Sequence, residues 1–295
     1  MIEELAIESR FISAPDSLKL HARDYGSSHM PGTPVLCLPG LSRTAADFDV
    51  IARALAQGAA NGRRRVVALD YRGRGLSERD ANWKNYDLRV ENADILACMD
   101  ALSLEHAIFL GTSRGGLHTM MMAAIRPGVI KAAVLNDIGP VIEAQGLARI
   151  RGYIGKLPAP HSWPDAVDLA KRVMGGQFTS LTEADWLAYA QLTFEETDGK
   201  FSPRYDTRLM KTLEGLDLEA PLPTAWPQFE GLSNVPMLCV RGENSDLLSP
   251  ATVAEMRERH SRFETHTVPG QGHAPLLMDE PTIQVIADFI TRSES

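Results

Sequence analysis

The sequence predicts an α/β protein built on a doubly wound, mostly parallel sheet. Three observations predict it. Short apolar runs recur along the chain, and segments with apolar residues at helical spacing separate them. A glycine-flanked serine also sits where one such run gives way to a helix. Strands that alternate with helices imply right-handed crossovers between parallel neighbours.

The elements follow in order. Residues 5–12 and 19–25 read as a hairpin about the turn Ala14-Pro15-Asp16-Ser17. The runs 35–39, 66–70, 107–111 and 132–137 read as buried parallel strands. A helix over 45–57 would place Phe48, Ile51 and Leu55 on one face, and one over 88–102 would do so with Leu88, Ile95, Met99 and Leu102. A further helix is expected over 117–126. After residue 231 the alternation resumes, with strands at 237–241 and 263–268 and a closing helix at 282–292. Ser249 and Pro250 open the helix between them as N-cap and first-turn proline.

The alternation breaks over 141–231, which reads as helices without strands: one over 143–157, one capped by Ser162, and one capped by Thr182 with Asp185 three residues on. A proline-rich return passes through Pro221, Pro223 and Pro227. This segment holds 10 of the 19 aromatic residues, more than its share of the length, so Trp163, Trp186 and Trp226 are candidate substrate-binding residues of a lid. The division expected is a core of residues 1–140 and 232–295 with a helical cap at 141–231. Its entry after a strand end puts that cap over the carboxyl edge of the sheet, where open α/β sheets bind ligands.

Composition narrows the function. A chain of 295 residues buries enough surface to fold without disulfides or a metal. Thirty basic against 38 acidic residues give a net charge of −8, which argues against nucleic acid as a partner. The one basic run, Arg63-Arg64-Arg65, reads as a solvated turn before a strand. Cys37, Cys98 and Cys239 sit in apolar stretches, as buried thiols of a reducing compartment do. Neither an export signal nor a membrane span is visible, so a cytoplasmic protein is expected, with no membrane partner. A homo-oligomer stays open.

The chemistry centres on Gly111-Thr112-Ser113-Arg114-Gly115-Gly116, between a strand and a helix. A serine at such a turn has its hydroxyl lifted clear of the sheet, and the glycines let strand and helix approach closely. The helix N-terminus offers a free N–H to a developing oxyanion. Serine needs a base and an orienting acid, in that architecture in the order serine, acid, histidine. His273, in the glycine-rich loop Gly270–Pro275 beyond the last strand, is the expected base. His106, His118, His260 and His266 read as packed or solvated. Asp246, after the strand at 237–241, is the expected acid, with Asp137 and Glu243 as rivals. Leu41, after Pro39-Gly40, would supply the second oxyanion N–H beside that of Arg114. No His or Cys pair has metal-site spacing, so no metal and no cofactor are expected.

These pieces resemble the α/β-hydrolase superfamily over nearly the whole chain. Asp70-Tyr71-Arg72-Gly73-Arg74-Gly75-Leu76-Ser77 is similar to a turn common there, Arg241-Gly242-Glu243 with Asp246 to the acid loop, and Gly272-His273 to the base loop. The resemblance implies an eight-stranded sheet with a cap after strand 6, and it can place the acid after either of two strands. The acid-loop match favours Asp246. Asp137, in Asn136-Asp137-Ile138-Gly139-Pro140, has an alternative use as an acceptor within a turn. Two features depart from the pattern. Pro39-Gly40 stands where many relatives have His-Gly, and Arg114 follows the serine, either as a buried ion pair or as an anchor for an anionic substrate.

A serine nucleophile excludes relatives that form an alkyl ester on aspartate. The expected function is hydrolysis of a carboxylic ester or lactone of a small, largely apolar molecule through an acyl-enzyme. Carbon–carbon hydrolysis of diketone-like compounds, perhydrolysis, acyl transfer and a slow-turnover receptor are the alternatives.

Overall fold

A computed structural model describes residues 5–294; Met1–Glu4, part of the stretch in which an export signal was sought, and Ser295 lie outside the described residues. The chain opens with strands β1 (Ile7–Ser13), β2 (Lys19–Tyr25) and β3 (Gly32–Leu38). Next come helix α1 (Asp49–Gln57), strand β4 (Arg64–Asp70), helix α2 (Leu88–Ala101), strand β5 (Ala107–Thr112), helix α3 (Arg114–Ile125) and strand β6 (Ile130–Asn136). Then follow α4 (Ala144–Tyr153), α5 (Trp163–Met174), α6 (Glu183–Thr193), β7 (Phe194–Thr197), β8 (Lys200–Pro203), α7 (Lys211–Glu214) and α8 (Trp226–Glu230). The chain closes with β9 (Met237–Gly242), α9 (Pro250–Arg259), β10 (Phe263–Val268) and α10 (Glu280–Ser293).

Eight strands form one sheet in the order β1-β2-β4-β3-β5-β6-β9-β10. Only β2 runs antiparallel to its neighbours; every other pairing is parallel. Successive side chains of a strand point to opposite faces, and both faces are covered. Val35, Cys37, Ile108, Leu110, Val134 and Val240 pack on Ile51 and Leu55 of α1 and on Ile286 and Ile290 of α10. Leu36, Leu38, Phe109, Leu135 and Cys239 face the other layer, with Ile95 and Met99 of α2 and Met120 of α3. Burial on both faces explains why these strands read as unbroken apolar runs. Cys37, Cys98 and Cys239 are free thiols in these layers.

Several local expectations change. The segment at 45–57 starts as a 3₁₀ turn, Ala45–Phe48, before α1. Helix α3 begins directly after Ser113 rather than at residue 117. Helix α4 stops at Tyr153, just ahead of Gly155, whose φ is +68°. Arg64 and Arg65 are buried in β4 rather than solvated. Arg65 holds Asp24 through two hydrogen bonds, and Arg64 pairs with Glu294. The insertion is not purely helical either. Strands β7 and β8 form a hairpin about Asp198-Gly199, both at positive φ, and an Asp-Gly pair is the residue chemistry a two-residue hairpin turn prefers. Among the described residues no helix is long and apolar enough to cross a membrane.

Candidate active site

Ser113 occupies the turn between β5 and α3 with φ 52° and ψ −111°, a backbone conformation costly for any residue but glycine. Its neighbours make the turn feasible. A Cβ on Gly115 would run into the Leu38 carbonyl of β3, and one on Gly111 would meet the Gly115 backbone. Only glycine permits that approach.

The Ser113 Oγ lies 2.8 Å from His273 Nε2. His273 follows β10 on a loop that three hydrogen bonds position. Its own N–H donates to Gln177 Oε1 at 2.9 Å, Asn136 Nδ2 donates to the Pro275 carbonyl at 2.9 Å, and the Gln271 side chain accepts from the Leu276 N–H at 2.9 Å. Gln177 reaches in from the insertion, so both parts of the chain set the imidazole.

The acid beside His273 is Asp137, not Asp246. Asp137 Oδ2 lies 2.8 Å from His273 Nδ1, and Asp137 is fully buried. The residue sits just past the end of β6 at φ 57°, a conformation that aspartate tolerates better than most residues. Its carboxylate also accepts the Gly242 N–H at 2.9 Å and the Ser245 hydroxyl at 2.6 Å. The loop after β9 therefore supplies donors to the acid rather than the acid itself. Asp246, next in that loop, turns away into a two-point ion pair with Arg149 of α4, at 2.6 and 2.9 Å. Burial raises the Asp246 pKa, but the Arg149 guanidinium outweighs this and holds it below its ordinary value. Glu243, the remaining rival, accepts the Gly270 N–H at 2.8 Å.

The Leu41 and Arg114 N–H groups flank Ser113, and neither donates to a protein acceptor among the described residues. The Gly40 Cα faces Ser113 closely enough that a Cβ there would lie 3.7 Å from the Ser113 Cβ. The Arg114 side chain turns away from the serine to form an ion pair with buried Glu91, Nε to Oε2 at 2.7 Å. It is therefore a buried ion pair rather than a free anchor for an anion.

A cavity of about 80 Å³ opens over Ser113 and His273. Its apolar wall comes from both parts of the chain, through Ile150, Ile154, Met174, Phe178 and Leu192 of the insertion and Leu41, Phe48, Leu276 and Leu277 of the core, and Tyr153, Tyr189, Arg43 and Asp47 also line it. The three tryptophans expected there are elsewhere. Trp163 packs edge-on against Phe201 inside the insertion, Trp186 packs edge-on against Tyr189, and Trp226 meets Phe229 edge-on beneath the Arg259 guanidinium. The insertion aromatics that reach the cavity are Tyr153, Phe178 and Tyr189, whereas Trp163 and Trp186 pack in the insertion's own clusters and Trp226 against the sheet core. Asp137, named only as a rival to Asp246, is the carboxylate that meets the imidazole, and Gln177 and Asn136 were not singled out as supports of its loop. Their only sequence signal was position at a strand end or, for Gln177, beyond a helix.

The family model described as the alpha/beta hydrolase family matches residues 35–287. A 3-hydroxybutyrate-oligomer hydrolase of Cupriavidus necator is 31% identical over 95% of this chain and 97% of its own. An sn-1-specific diacylglycerol lipase of Mus musculus is 27% identical over 84% of this chain and 76% of its own. The crystal structure of an alpha/beta hydrolase from Novosphingobium aromaticivorans superposes with a TM-score of 0.87 at 36% identity, covering 97% of this chain and 98% of that one. The sheet order, the serine turn between β5 and α3 and these near end-to-end matches converge: the chain belongs to the alpha/beta hydrolase family.

Proposed function

We propose that the protein is a serine hydrolase that cleaves a carboxylic ester of a small molecule through an acyl-enzyme. The observation that carries this reading is the unbroken chain from Ser113 Oγ through His273 to Asp137, with both hydrogen bonds at 2.8 Å. Asp137, acting as the acceptor of the Nδ1–H, keeps the Nε2 lone pair directed at the hydroxyl. Ser113 Oγ attacks the ester carbonyl while His273 Nε2 takes its proton. The Leu41 and Arg114 N–H groups, both without protein acceptors, receive the oxyanion, aided by the N-terminal end of α3. The imidazolium then protonates the leaving alkoxide. In the second half, His273 takes a proton from water, and the hydroxide releases the acid and Ser113.

The substrate reading draws on the cavity and on the relatives. Beyond Ser113 and His273, the cavity wall is mostly apolar, with polar side chains at Ser42, Arg43, Asp47, Thr112, Tyr153 and Tyr189, which suits a short acyl chain carrying a further polar group. The two relatives reported above are named for hydrolysis of 3-hydroxybutyrate oligomers and for a diacylglycerol lipase activity, which supports an ester reading here. In this reading residues 141–231 act as a cap that supplies part of the acyl wall.

The test is active-site labelling with a fluorophosphonate, followed by a panel of p-nitrophenyl esters of increasing acyl length. Labelling should map to Ser113, and Ser113→Ala should abolish both labelling and turnover, a loss of up to ~10⁶ in kcat. Label on another residue, or turnover retained by Ser113→Ala, would overturn the reading.

A further inference from the structure

Glu91 of α2 is a fully buried carboxylate behind the serine turn, and three side chains converge on it. Oε1 accepts from Arg74 Nη1 at 2.6 Å. Oε2 accepts from Arg114 Nε at 2.7 Å and lies 3.0 Å from His118 Nε2. The neighbouring bonds settle the imidazole tautomer. Asn92 Nδ2 donates to the Leu88 carbonyl and lies 3.0 Å from His118 Nδ1, so Nδ1 accepts and Nε2 carries the hydrogen given to Glu91. Burial also favours the uncharged ring, lowering the His118 pKa. Burial alone would raise the Glu91 pKa, but Arg114 and Arg74 outweigh it and hold the carboxyl far below its ordinary range.

Each guanidinium continues to a different piece of the site. Arg74 Nε donates to the Leu41 carbonyl at 2.8 Å, and its Nη1 also holds the Arg72 carbonyl at 2.7 Å. Its guanidinium lies over the rings of both Tyr71 and Tyr86, at 5.5 and 5.4 Å from their centroids. Arg114 is the first residue of α3, and its Nη2 donates to the Tyr86 carbonyl at 3.1 Å. One carboxylate therefore ties together the residue after the Pro39-Gly40 turn and the residue after Ser113. Those two residues carry the two unpaired N–H groups.

We propose that Glu91 is a positioning residue of the oxyanion hole, holding Leu41 through Arg74 and the first turn of α3 through Arg114 so that both amides converge on one oxygen. The inference rests on the serine-hydrolase reading. A buried ion cluster that served stability alone would not need to reach both amide-bearing residues, and it would not act on the transition state in particular. Positioning does, because small displacements of preorganised donors weaken binding of the charged intermediate more than binding of the neutral ester.

The experiment compares wild type, Ser113→Ala, Glu91→Gln and Arg114→Met on p-nitrophenyl acetate. The readouts are kcat, KM, affinity for a boronic acid that forms a tetrahedral adduct on serine, affinity for acetate, and melting temperature. Glu91→Gln is expected to lower kcat and boronate affinity together by ~10–10²-fold, with KM and acetate affinity within about threefold of wild type. Should Glu91→Gln not fold, Arg114→Met carries the test, since it leaves Glu91 paired with Arg74 and His118. It is expected to lose about 3–10-fold in the same two quantities. A folded variant with wild-type kcat and boronate affinity, or one impaired in KM alone, overturns the proposal. If Ser113→Ala is inactive while Glu91→Gln behaves as wild type, only the positioning role falls. If Ser113→Ala still turns over, the serine reading falls and takes this inference with it.

Discussion

Arg149 and Asp246 join the first helix of the insertion to the loop after β9 through two hydrogen bonds, Nε to Oδ2 at 2.6 Å and Nη2 to Oδ1 at 2.9 Å. The contact sits beside the hydrogen-bonded chain of Ser113, His273 and Asp137 without belonging to it. It is close-packed as well, because a Cβ on Gly146 would strike the Asp246 carbonyl. Arg149→Ala should cost about 1–2 kcal/mol, between the values for exposed and fully buried pairs. Since α4 also carries Ile150 and Tyr153 into the cavity, KM should rise several-fold while kcat changes little. Thermal unfolding and steady-state kinetics on one ester check both parts; a large kcat loss with unchanged KM would contradict this assignment.

The acid role proposed for Asp137 gives a sharper contrast. Asp137→Asn keeps the size of the side chain but removes the charge that, in the proposed mechanism, stabilises the His273 cation. In a serine protease the equivalent change costs ~10⁴ in kcat, and a loss of that order is expected here. Asp246→Asn should stay within about tenfold of wild type, and Glu243→Gln should be nearly silent, because neither side chain hydrogen-bonds to the imidazole. The three kcat values measured side by side decide the matter. Equal losses from Asp137→Asn and Asp246→Asn would mean that the acid role is shared.

Acid sensitivity has a specific source at Asp206. Its carboxylate accepts from the Tyr86 hydroxyl at 2.6 Å and from Arg208 at 2.5 Å. Burial raises the pKa, but Arg208 and Tyr86 outweigh it and bring it down to about 2. The folded value is therefore below the unfolded one of about 3.9. Its contribution is complete above pH ~5 and is lost as pH falls through ~4 toward 2. Asp206→Asn should thus be less stable than wild type at pH 6 by urea unfolding, and the gap should narrow at pH 3. A gap of constant size would assign the acid dependence to other carboxylates.

Phe178 and Trp163 separate the cavity wall from the insertion's core. Phe178 is buried and lines the cavity, whereas Trp163 packs on Phe201 away from it. Phe178→Ala should shift the preferred p-nitrophenyl ester toward longer acyl chains. Trp163→Leu should cost about 1–3 kcal/mol and leave the ranking of esters unchanged. A ranking altered by Trp163→Leu but not by Phe178→Ala would relocate the acyl site.

What could be read from residues alone is what depends on neighbours along the chain. Strands β3, β4, β5, β6 and β9 announce themselves because burial on both faces demands apolar side chains at consecutive positions. Ser113 was legible because its backbone geometry needs Gly111 and Gly115 within two residues on either side, and His273 because its loop follows the last strand. The β7–β8 hairpin was equally local, announced by Asp198-Gly199, but the helical reading of the surrounding segment hid it.

Only the tertiary structure decided between Asp137 and Asp246. Strands β6 and β9 are adjacent and parallel, so both aspartates arrive at the same edge and sequence position cannot rank them. The choice is made by groups remote in the chain: the Ser245 hydroxyl and Gly242 N–H settle on Asp137, and Arg149 draws Asp246 away. The same holds for Arg114, whose partner Glu91 comes from another helix, and for the cavity aromatics, chosen by how the insertion folds on itself. Local backbone preference is written into a few consecutive residues, whereas the direction a charged side chain takes depends on which opposite charge the fold brings within hydrogen-bond reach.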